Sequence, residues 1–149
     1  MSCLSPTDRK PWRSVRLPAV VIAAVCATPL LIGAGLTPDP GGVGTHTQLG
    51  LQPCAFQLHT GLPCATCGMT TAFSLAAHGD LAAAFVVQPA GTLLALLCAM
   101  ATIICGYAAV AGADLSPLGR RLAQPRAVLL VGGLVVAGWA YTLALTLGT

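Results

Sequence analysis

The stretch Pro89-Ala90-Gly91-Thr92-Leu93-Leu94-Ala95-Leu96-Leu97-Cys98-Ala99-Met100-Ala101-Thr102-Ile103-Ile104-Cys105-Gly106-Tyr107-Ala108-Ala109-Val110-Ala111-Gly112-Ala113 carries no charge over 25 residues. About 20 apolar residues at 1.5 Å each cross the hydrocarbon core of a bilayer. The stretch therefore reads as a transmembrane helix. Pro89 suits its first turn, where a missing N–H costs nothing. Gly91, Ala95 and Ala99 recur every four residues, a small-residue face that lets another helix come close. Cys98 and Cys105 share a face about 10 Å apart along the axis. That is too far for a mutual disulfide, and both are expected to be packing thiols.

Composition agrees with a chain that lives in lipid. Of its 149 residues 56% are hydrophobic and 7% charged, against about 25% charged in soluble domains. The few charges are clustered. Arg9, Lys10, Arg13 and Arg16 precede one apolar run, and Arg120, Arg121 and Arg126 precede another. A basic groove interleaved with aromatics, as single-strand nucleic-acid binders use, is absent, so no nucleic-acid partner is expected.

Outward from the central span, residues 1–16 form a basic segment with a free thiol, Cys3, and with Trp12 suited to the headgroup level. Residues 17–36 form a first span, with Pro18 near its start and Pro29 inside it as a kink. Cys26 within this span is expected to be a packing thiol. The same layout resembles a signal peptide, but an uncleaved signal-anchor is the expectation. Residues 37–88 form a loop that begins with turn formers, contains His46 as a solvated histidine, and holds a cysteine motif. Gly68 to Val87 reads as two short helical pieces, interfacial or re-entrant, broken at His78-Gly79-Asp80, with Asp80 capping the second. Residues 89–113 are the second span, 114–126 a cytoplasmic loop, and 127–147 the third span. Gly133 and Ala137 offer it a close-packing face, and Trp139 and Tyr141 mark its far interface. Two crossings separate the basic clusters, so both fall on the cytoplasmic side and the cysteine loop is exoplasmic. The expected fold is all-α, integral to the membrane, with three transmembrane helices.

The chemistry-bearing residues sit in the loop: Cys54, then Cys64-Ala65-Thr66-Cys67. In an oxidising compartment two of these three thiols can close a structural disulfide, which is the leading expectation. Alternatively, thiolates spaced like Cys64 and Cys67 commonly hold zinc, with Cys54 a third ligand and His59 or His78 a fourth. As a third reading, a cysteine pair opening a helix is a redox dithiol, its thiolate favoured by the dipole. No βαβ pattern surrounds the pair, which counts against a thioredoxin-type enzyme.

Pro53-Cys54, Thr60-Gly61-Leu62-Pro63-Cys64, Cys67-Gly68 with Thr70, Ala77-His78-Gly79-Asp80-Leu81, Ala84 and Gln88-Pro89 together resemble a family of small bacterial membrane proteins known as a domain of unknown function. Its signature is similar to Cys-Pro-x-Cys-Gly-x-Thr-Arg, followed by a His-Gly motif and an Asn-Pro before a span. The resemblance runs over Leu51 to Gly106. It implies an integral membrane protein and no known activity; a bacterial inner or plasma membrane is the expected location. Ala65, Thr71 and Gln88 stand where that pattern has proline, arginine and asparagine. Without the arginine, anion binding or thiol activation is weaker here than the pattern implies.

The function expected is a non-enzymatic, structural or partner-docking membrane component that meets lipid and, through small-residue helix faces, either another membrane protein or a second copy of itself. A redox or metal-binding role through Cys64 and Cys67, with zinc or another transition metal, is the alternative. A lipid-modifying enzyme using His78 and Asp80 comes third.

Overall fold

A computed structural model describes residues 12–115, 119 and 124–148. The expectations for Cys3, the Trp12 side chain, Arg120 and Arg121 lie outside what it describes. Among the described residues the chain is all helix. The order is α1 (Trp12–Gly35), a 3-10 turn (Thr45–Leu49), α2 (Ala55–Thr60), α3 (Met69–Ala77), α4 (Leu81–Val87), α5 (Pro89–Ala111) and α6 (Pro125–Leu147). Three stretches are long and apolar enough to cross a membrane: Arg16–Gly35, Pro89–Ala111 and Pro125–Leu147, of 20, 23 and 23 residues with mean hydropathy 2.2, 2.3 and 2.1.

The large side chains point outward. Val110, Leu130, Leu129, Tyr107, Leu31 and Ile103 are each more than 70% exposed. Water would expel such a surface, which suits a lipid surrounding. The interior is built of small residues: Ala72 and Ala84 are fully buried, and Ala90, Ala95 and Ala108 nearly so. Helices gain nothing by hiding leucine from lipid tails, so close backbone approach and polar contacts hold the bundle instead.

Those contacts fix the topology. α1 and α5 pack along their length and run antiparallel. At one end the Arg16 Nη2 donates to the Val110 carbonyl, 3.1 Å away, placing a cation at the negative end of α5. At the other end α3 wedges between them. A Cβ on Gly33 would lie 3.1 Å from the Phe73 carbonyl, and one on Gly91 would lie 3.1 Å from the Ala72 Cβ. The Ser74 hydroxyl, fully buried, donates to the Leu36 carbonyl at 2.7 Å. α3 is thus a packed core element at the mouth of the bundle.

The chain breaks at His78-Gly79-Asp80, and the Asp80 Oδ1 caps α4 by accepting from the Ala83 N–H at 2.9 Å. α6 meets α5 through Gly138, where an added Cβ would fall 2.6 Å from the Ala90 Cβ. Gly133 has open space around it and Ala137 is exposed, so the expected Gly133–Ala137 face meets no helix of this chain. A four-residue spacing identifies small residues on one side of a helix but not which side meets a neighbour.

Candidate functional site

The loop is held at four points before its cysteines do anything. Thr45, fully buried, takes a hydrogen bond from the Asp39 N–H (3.0 Å) and shares one with the Thr71 hydroxyl (2.8 Å). Gln88, also fully buried, donates from Nε2 to the Ala65 carbonyl at 3.3 Å. The Trp139 Nε1 donates to the Pro63 carbonyl at 3.0 Å. The last anchor is Gly68, at φ +83° just before α3. A side chain there would be strained and would press on the Gly42 carbonyl and Val87 Cγ1, both 3.2 Å from its Cβ. Two departures from the resembled pattern, Thr71 and Gln88, are therefore structural anchors in this chain.

Between these anchors the three thiols converge. Cys54 precedes α2, whose own residues are all unburied, with Phe56 and Leu58 exposed. Cys64 and Cys67 bound a turn closed by the Cys67 N–H to the Cys64 carbonyl (3.1 Å). The Sγ atoms of Cys54, Cys64 and Cys67 all lie within 4.8 Å of one another, and those of Cys64 and Cys67 are 3.0 Å apart. All three are free thiols. They line a cavity of about 320 Å³ together with His46, Leu51, Thr66 and the start of α3.

The environments of the paired thiols differ. Burial pushes the Cys64 thiol up. Hydrogen bonds from the Thr66 hydroxyl, the Cys67 thiol, the Thr66 backbone and the Cys54 thiol together outweigh that and bring it down to about 7. Burial raises Cys67 to about 12, helped by the donation it makes to Cys64. Both cysteines precede Gly68, the N-cap of α3, and the local hydrogen bonds bring Cys64 down against its burial.

The histidines expected as ligands lie elsewhere. His59 is exposed at the end of α2 and outside the thiol cluster. His78 caps the far end of α3, with Nδ1 2.8 Å from the Ser74 carbonyl. The length of α3, about 13 Å at 1.5 Å per residue, separates it from the thiols. His46, read as solvated, is half-buried and lines the thiol cavity. Its neighbour Thr45 is tied to Thr71, and that long-range tie left no signal in the spacing of the cysteines. Asp80 is occupied in capping α4.

Residues 54–102 match the model of a family described as a protein of unknown function (DUF2752). The match takes in all three cysteines, α3, α4 and the first half of α5. No curated protein and no solved structure matches the chain.

Proposed function

We propose that this multi-pass membrane protein binds a transition-metal ion through the thiolates of Cys54, Cys64 and Cys67, in a cavity that His46 also lines. The convergence of all three Sγ atoms within 4.8 Å carries the reading. Thiolates bound about 2.3 Å from one tetrahedral ion are themselves about 3.8 Å apart, so small side-chain movements complete the site. A disulfide would use two of these thiols and leave the third idle beside it. Soft sulfur donors favour zinc or Cu(I) over calcium or magnesium. The role is one of holding metal at the membrane, without a reaction of its own.

A second reading is a redox dithiol. The split between Cys64 at about 7 and Cys67 at about 12 supports it, because an ionised, accessible thiol attacks and a protonated partner resolves.

The placement proposed is a bacterial inner membrane, with the N-terminus cytoplasmic and the thiol loop exoplasmic. Arg16 beside Val110 supports it, since this puts the start of α1 and the end of α5 at one end of the bundle. The two arginine-rich segments then share a side, as the distribution of basic residues in inner-membrane proteins requires.

The test is metal analysis with thiol counting on protein purified anaerobically in detergent. One bound ion, with all three loop thiols alkylated only after chelation, supports the metal site. No metal, with two thiols freed only by reductant, overturns it in favour of a disulfide.

A further inference from the structure

The loop that carries the thiols holds no fixed charge. Residues 40–79 contain no Asp, Glu, Lys or Arg, where a water-facing segment of that length would carry about ten. Nor are its large apolar side chains hidden. Leu49, Leu51, Phe56 and Leu58 are 49%, 56%, 45% and 71% exposed. Every residue of α2 is unburied, and among the described residues no helix packs along it. Large apolar groups thus stand open beside the thiol cavity, which Leu51 and Cys54 both line. A patch of this kind marks a contact with lipid or with protein.

The height of the loop decides between the two. α5, at 23 residues, is about 34 Å long and by itself crosses a hydrocarbon core of about 30 Å. Its first turn lies beside Gly138, where an added Cβ would meet the Ala90 Cβ. From Gly138, α6 continues to Leu147, about 13 Å further along its own axis. The last turns of α6 therefore pass beyond the start of α5 into the headgroup layer. They are still apolar there, with Leu145 and Leu147 47% and 73% exposed. The loop lies against these same turns. Trp139 holds the Pro63 carbonyl at 3.0 Å, and Thr142 and Leu145 share a cavity with Pro63 and Cys67. Lipid that covers the end of α6 therefore also reaches the loop.

We propose that residues 49–60, ending in α2, are an uncharged anchor that lies in the headgroup layer and sets its apolar side chains at the acyl boundary. The partner is the lipid surface itself. A site for a soluble protein would have a polar, charged rim, and no fixed charge lies between Pro40 and Gly79 to form one. The thiol cavity then opens at the lipid surface, and whatever reaches Cys54 and Cys64 travels along the headgroup layer. The anchor does not depend on the metal reading. It concerns where the thiols lie, and α2 holds its place whether they bind an ion or close a disulfide.

The test is tryptophan fluorescence of the full chain in phosphatidylcholine vesicles. Leu58→Trp and Phe56→Trp each place a reporter at an exposed position, and subtracting the wild-type spectrum removes the native tryptophans. The added emission is expected to be blue-shifted. Lipid brominated near the glycerol end of its acyl chains should quench most of it, lipid brominated near the methyl end less, and aqueous iodide almost none. Emission quenched by iodide but not by bromine places α2 in water, open to a soluble partner, and overturns the anchor. Blue-shifted emission that neither quencher reaches means that protein, such as a second copy of the chain, covers α2, and this also overturns it. Stronger quenching from the methyl end overturns the headgroup placement. Replacing part of the lipid with anionic phosphatidylglycerol should change nothing, and quenching that needs the anionic lipid contradicts an uncharged anchor.

Discussion

At the scale of single residues, the thiol site is defined by unequal protonation. Metal binding must displace every thiol proton. Cys64 loses its own near pH 7, whereas Cys67 holds its proton to about 12. Metal affinity therefore rises with pH throughout the neutral range. The slope of log affinity against pH is expected to fall by one unit as pH rises through about 7, because Cys64 no longer releases a proton. Competition titrations with a pH-independent reporter metal complex measure that slope, and a constant slope from pH 6 to 8 would deny Cys64 its role. Gly68 is the residue least open to change. Gly68→Ala forces a Cβ into the left-handed region, at about 1–2 kcal/mol, and against the Gly42 carbonyl. Thermal unfolding in detergent should show a lower midpoint and weaker metal binding together. The cysteines and this glycine were legible in the sequence as a motif. His46 was not, because a loop residue eight positions before Cys54 acquires its place only through the Thr45–Thr71 hydrogen bond.

At the scale of elements, contacts made by single atoms decide which helix face is inside. Gly138→Ala is expected to push α6 off α5, since its Cβ would sit 2.6 Å from that of Ala90. Gly133→Ala meets nothing and should stabilise by up to about 1 kcal/mol through helix propensity alone. Opposite shifts in melting temperature for the two variants would establish the packing face, and equal shifts would refute it. Trp139→Phe keeps the ring but removes the donor to Pro63. A loss of about 0.5–1.5 kcal/mol is expected, with weakened metal binding as the loop slackens. Unchanged binding would show that α6 does not hold the loop. The helix break and the Asp80 cap were readable from local chemistry. α2 was not, because six residues carry no period, and Trp139, read as an interface marker, meets a carbonyl 76 positions away.

At the scale of the whole molecule, the absence of charge announced three apolar helices, because a run of twenty uncharged residues has few other uses. The interior of small residues follows from the same solvent. What spacing alone does not convey is the rotation and register of one helix against another. Two long-range contacts supply it, Arg16 with Val110 and Gly138 with Ala90. They gather the end of α1, the start of α5 and the last turns of α6 around one loop. A second cavity of about 270 Å³, lined by Cys67, Gly68, Thr142, Leu145 and Thr146, lies where α6 passes that loop. The account as a whole turns on whether the three converging thiols share one ion. The most direct measurement is X-ray absorption at the metal edge of anaerobically purified protein. It should show three sulfurs at about 2.3 Å in the wild type and a lost sulfur in Cys54→Ser. A metal-free chain whose Cys64 and Cys67 are joined in a disulfide would contradict it.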